Sequence, residues 1–106
     1  MNPPEDRCAL FERRVREHPD NPLFRFSLGQ ALVDAGRGPE AIPHLRLAAD
    51  SRADWMVPRI LLGKALQASG DLPAARTVFE DALRLARSQG HEEPEEEILA
   101  LIKHLS

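Results

Sequence analysis

The amino-acid sequence predicts an all-α protein: a stack of antiparallel helix pairs, about six helices, forming one domain over residues 1–106. Three observations predict it. The chain matches itself at an offset of 34. Leu28-Gly29 falls on Leu62-Gly63, Ala31-Leu32 on Ala65-Leu66, Gly36 on Gly70, Pro39 on Pro73, Ala41 on Ala75 and Ala48 on Ala82, with Leu45 answered by Phe79. Apolar residues recur three or four apart, as in Leu28 and Leu32 or Leu45, Ala48 and Ala49, which is the helical period. No stretch alternates with period two, so no sheet is expected.

The elements follow in chain order. Shifting back by 34 sets Phe11 on Leu45 and Cys8 on Ile42, so residues 5–18 read as the second helix of a pair whose first is absent. The chain is therefore expected to begin with half a repeat. Arg7 and Arg14 occupy the places of Ala41 and Ala48, which points to a wet face, and Cys8 is expected to be only partly buried. The first full repeat spans 22–55. Asn21-Pro22 supplies a cap and a first-turn proline, the helix stops at Gly36, and Gly38-Pro39 opens a second helix to about Asp50. The second repeat spans 56–89, with Asp54 as the expected cap, Gly70 as the stop, and a helix from Asp71-Leu72-Pro73 to about Ser88. Ile98, Leu101, Ile102 and Leu105 then form one apolar stripe on a capping helix, 94–105, whose polar side carries Glu95, Glu96 and Lys103.

Composition narrows the function classes. Apolar residues are 42% and charged ones 29%, ordinary for a globular protein, and the net charge of −3 argues against a nucleic-acid partner. The arginines of the first helix are interleaved with Glu12 and Glu17, and the chain has no tyrosine to stack bases. The N-terminus lacks the charged and apolar regions of a signal peptide, and no apolar run is long enough for a membrane span. Cytoplasm is the expected compartment. The single Cys8 excludes an internal disulfide. His91, beside the Glu92–Glu97 acidic run, has no second ligand at metal spacing, and the run suits a helix N-terminus. His18, His44 and His104 are expected on the surface. With no phosphate loop or nucleophile motif, neither enzyme activity nor a cofactor is expected. Twelve arginines against two lysines fit a GC-rich bacterial origin.

Leu28-Gly29, Ala41 and Ala48, then Leu62-Gly63, Ala75, Phe79 and Ala82, resemble the tetratricopeptide repeat pattern of a 34-residue helical hairpin. Departures from it are Arg25 and Arg59 at the usual Trp, Leu32 and Leu66 at an aromatic, and Ala53 and Arg87 at the closing Pro. The resemblance implies a right-handed superhelical stack that binds a protein or peptide on its concave side. In such proteins the second, fifth, ninth, twelfth and thirteenth residues of each repeat contact the ligand. Here those are Leu23, Phe26, Gln30, Val33 and Asp34, then Val57, Ile60, Lys64, Gln67 and Ala68. Leu23, Phe26, Val57 and Ile60 are expected to face out of the hollow, with Phe26 as the main anchor and Trp55 as a wedge between hairpins. The carboxylate clamp that grips acidic chaperone tails is missing, since its places hold Phe26, Gln30 and Leu61. The alternative to an adaptor is a homodimer or an accessory subunit of a larger complex.

Overall fold

Six helices follow one another in the computed structural model, which describes residues 3–105: α1 (Pro4–Glu17), α2 (Pro22–Asp34), α3 (Gly38–Ser51), α4 (Met56–Ala68), α5 (Leu72–Ser88) and α6 (Glu92–Lys103). Among the described residues there is no strand. The architecture is an all-α helical-repeat superhelix.

The helix ends have local causes. Asn21 Oδ1 accepts from the backbone N–H of Leu23 at 2.9 Å and of Phe24 at 3.3 Å, so two otherwise unpaired donors at the start of α2 are satisfied. Asp71 does the same for Ala74 at the start of α5, at 3.2 Å. Asp54 does not cap α4. That helix begins at Met56 with Trp55 in the capping place, one residue too late for Asp54, whose carboxylate faces Arg52 at 3.5 Å instead. Helix α2 ends in a left-handed residue, Gly36 at φ 77°, and the Arg37 N–H reaches back to the Leu32 carbonyl at 2.8 Å. That pairing ends a helix tightly and needs a residue without a Cβ. The same bond closes α4 after Gly70 and α5 after Gly90. Helix α6 starts at Glu92 rather than at residue 94, because Pro94 sits within its first turn, where no donor is required.

Contacts run between neighbours along the chain, α1 with α2 through to α5 with α6, together with a smaller contact of α2 on α4. The result is a stack 36 Å long and 26 Å across, in which each helix is held by those beside it. The core is built from Leu28, Leu32, Leu45, Leu62, Leu66, Phe79 and Ile98, with Ala41, Ala48, Ala75 and Ala82 completely buried where helices cross. Gly63 lets α4 lie on α5: a Cβ there would stand 2.3 Å from the Phe79 ring.

Three expectations about the first half of the stack are corrected. Cys8 is 1% exposed, because α1 seats Cys8, Val15 and Phe11 in the common core. The face bearing Arg7 and Arg14 is only partly open to water, the two side chains being 33% and 43% exposed. The Arg7 guanidinium bridges to Asp34 of α2 at 3.1 Å, and its Nε is buried without a hydrogen bond. His44 is half-buried rather than on the surface, and its Nδ1 faces Arg25 Nη1 at 3.1 Å, while Arg25 Nε donates to the Pro19 carbonyl at 3.1 Å.

Candidate functional site

Helices α2, α4 and α6 are the first helices of successive layers. Lys64 of α4 meets Glu97 of α6 at 3.0 Å, and Trp55 at the start of α4 meets Phe26 of α2 with ring centroids 5.2 Å apart. These contacts join unequal places: Lys64 is the ninth residue of α4 and Glu97 the sixth of α6, while Trp55 precedes α4 and Phe26 is the fifth residue of α2. Residue two of the three helices is Leu23, Val57 and Glu93, and residue five is Phe26, Ile60 and Glu96.

The ten expected contact residues fall into different environments. Leu23 is 60% exposed and Val57 46%, so two apolar side chains stand in water at equivalent places on neighbouring helices. Phe26 is half-buried against Trp55, the two rings tilted by 50°. Ile60 is 9% exposed and belongs to the core, so it does not look out as the sequence suggests; the α4 face that carries it is covered by the packed neighbours. Gln30 is exposed, and Val33 and Gln67 are half-buried. Asp34 is occupied by Arg7, and Lys64 by Glu97. Ala68 is exposed.

The titratable groups with displaced pKa values are not among these contact residues. Burial is the main cause that pushes the Cys8 thiol above its ordinary value, with the Glu5 charge adding to it. Such a thiol stays protonated and sealed, the reverse of a reactive cysteine. Arg37 joins Glu5 at 3.2 Å, Glu12 at 3.6 Å and Glu40 at 2.7 Å, tying α1 to the start of α3. Its hydrogen bond holds the Glu40 carboxyl below the usual range. Among the described residues no three His, Cys, Asp or Glu side chains gather as a metal site would need. No helix is long and apolar enough to cross a membrane, again among the described residues. A concavity of about 200 Å³ lined by Ala53, Arg59, Asp81, Arg84 and Leu85 lies between α4 and α5 and includes none of these contact residues.

Two tetratricopeptide repeat models match the chain, over residues 9–55 and 56–81. A TPR repeat-containing protein of Pseudomonas aeruginosa is 35% identical over 94 residues, covering 89% of this chain and 90% of its own. The chain belongs to the tetratricopeptide repeat family. Among solved structures, a Bordetella parapertussis protein is 33% identical with a TM-score of 0.76, covering 92% of this chain and 85% of its own. PcrH, solved in complex with the chaperone binding region of PopD, superposes with a TM-score of 0.86 at 18% identity, covering 96% of this chain and 77% of its own.

Within this repeat protein, the 34-residue period does not extend to α6. Helix α4 starts 34 residues after α2, but α6 starts 36 residues after α4. The cause is α5, which is 17 residues long where α3 is 14. A strict shift by 34 from Val57 lands on His91, outside the helix, and so passes over Glu93.

Proposed function

We propose that this tetratricopeptide repeat protein is a non-enzymatic adaptor that captures a peptide segment of a partner protein on the side of α2, α4 and α6 bearing Leu23 and Val57. The fold is that of a protein-binding scaffold. The single observation that carries the finer reading is the pair Leu23 and Val57, large apolar side chains exposed at the same helical place on adjacent helices. Paired exposure of this kind, beside the half-buried Phe26 and Trp55, is what a contact patch needs. The complex of PcrH with a region of PopD supports the reading by likeness of fold.

The test is the double variant Leu23→Glu, Val57→Glu, compared with wild type in affinity capture followed by mass spectrometry. Both side chains are exposed, so circular dichroism should be unchanged while partner capture is lost. Capture of the same partners by the variant would refute the reading. Charged residues at Ile60 are unsuitable for this purpose, since that side chain is in the core. A second copy of the chain is the other candidate occupant, and sedimentation over a hundredfold concentration range detects it as a rising mass that the double variant abolishes.

A further inference from the structure

We infer that two copies of this chain associate through α6, the two helices running antiparallel about a two-fold axis at Leu99, with Lys103 of each copy facing Glu96 of the other. None of these residues is among the ten contact residues above, and the inference does not rest on the peptide-binding reading.

Burial fixes which face of α6 is open. Its seventh residue, Ile98, is buried like Leu28 and Leu62, the seventh residues of α2 and α4, and its third residue is a proline like that of α4. The eighth residues of the three helices are Gly29, Gly63 and Leu99. At both glycines the following helix lies directly across, since an added Cβ would stand 2.6 Å from Leu45 of α3 and 2.3 Å from Phe79 of α5. Leu99 is instead 43% exposed, and the main contact of α6 is with α5, which precedes it. A large apolar side chain thus stands in water near the middle of the face that, on α2 and α4, carries the next helix. Around it the charges are segregated along the helix. Glu95 is held by Arg87 and Glu97 by Lys64, each at 3.0 Å, which leaves Glu96 exposed three residues before Leu99. Lys103 is exposed four residues after it, so helical spacing sets both on the side of Leu99. They lie about 10 Å apart along the axis, too far to pair within one copy. Among the described residues neither has an ion pair or a side-chain hydrogen bond.

An antiparallel second copy supplies what each lacks. With Leu99 against Leu99, residues at equal distances in opposite directions along the two helices meet, so Lys103 of one protomer comes beside Glu96 of the other. The two-fold axis makes the contact twice, and it removes both apolar side chains from water. A parallel arrangement would set glutamates against glutamates, which charge complementarity excludes. Nor can a copy continue the stack end to end. Helix α1 is the counterpart of α3 and α5, with Phe11 at the place of Leu45 and Phe79, and Arg7 and Arg14 at the places of the fully buried Ala41 and Ala48. Laid on α6 in that way, Phe11 would meet Leu99 where the fold requires glycine. One helix per copy makes a small contact, below the roughly 1,200 Å² of stable complexes, so the pair is expected to be weak and reversible.

The test is sedimentation equilibrium of the full chain over a hundredfold concentration range reaching about 1 mM. The variants are Leu99→Glu, Glu96→Lys, Lys103→Glu, the double reversal Glu96→Lys, Lys103→Glu, and Leu23→Glu, Val57→Glu. The expected mass rises from one copy towards two and no further. Leu99→Glu should weaken the association by about tenfold or more, and each single reversal by about three- to tenfold, since it sets like charges face to face. The double reversal should restore it, because the exchanged charges remain complementary across the axis. Glu96→Lys moves the net charge of −3 towards zero, which alone would favour association, so weakening by that variant reports the contact itself. The Leu23→Glu, Val57→Glu protein should associate like wild type. A single-copy mass at every concentration, or growth beyond two copies, overturns the inference. So does association that survives Leu99→Glu, that the double reversal fails to restore, or that is lost in Leu23→Glu, Val57→Glu. Circular dichroism checks the fold of each variant, and the exposed charge variants decide the matter even where Leu99→Glu disturbs α6.

Discussion

At Gly63 the packing of the second hairpin rests on the absence of one carbon. An alanine there would put its Cβ 2.3 Å from the ring of Phe79, which is completely buried and has no room to retreat. Gly29 faces Leu45 at 2.6 Å, a side chain as fully buried as Phe79 but not a rigid ring. Alanine gains up to about 1 kcal/mol of helix propensity over glycine, but overpacking costs about 1–3 kcal/mol. We expect Gly63→Ala to be the more destabilising of the two, by about 1–2 kcal/mol net, read from urea midpoints. His44 gives a second expectation. Burial first, and the neighbouring Arg25 second, hold its pKa below the ordinary histidine value, against a smaller opposing effect of Glu12. The unfolded chain then binds a proton that the folded chain resists, so stability is full above about pH 6.5 and declines as pH falls below it. His44→Gln should flatten that decline in thermal melts recorded between pH 7 and 5. Neither His44 nor Arg7 was legible as a buried contact in the sequence, because their partners, Arg25 and Asp34, lie 19 and 27 residues away.

Among the elements, α3 carries a proline within its body, Pro43, which is exposed and supplies no N–H to the helix ladder. Restoring that donor with Pro43→Ala should raise stability, by up to about 3 kcal/mol if the helix is otherwise undistorted, measured by the same urea titration. A drop in stability would show that the proline's rigidity in the unfolded chain outweighs the missing bond. Helix identity was legible nearly throughout, since glycine stops and apolar spacing are local properties. The start of α4 at residue 56 was legible from the repeat, but its cap was not, because Trp55 forms no side-chain bond to signal it. Nor was the outward view of Ile60: its helical place equals that of Phe26, and only the neighbouring layer decides which of the two is covered.

Across the whole molecule, stability is shared between layers, because each helix touches mainly its neighbours in sequence. Ile98 is the fully buried anchor of α6. Truncating it to alanine should cost about 2–5 kcal/mol, and in hydrogen exchange the loss should be largest in α6 and α5 and smallest in α1. Equal loss everywhere would mean that the stack unfolds as one unit.

Trp55, the chain's one tryptophan, sits half-buried against Phe26 beside the exposed pair, in a protein without tyrosine. Its emission is therefore free of overlapping chromophores and originates next to the surface of interest. If a guest binds on Leu23 or Val57 as proposed, the polarity around that indole should change, and the emission would then report occupancy without a dye.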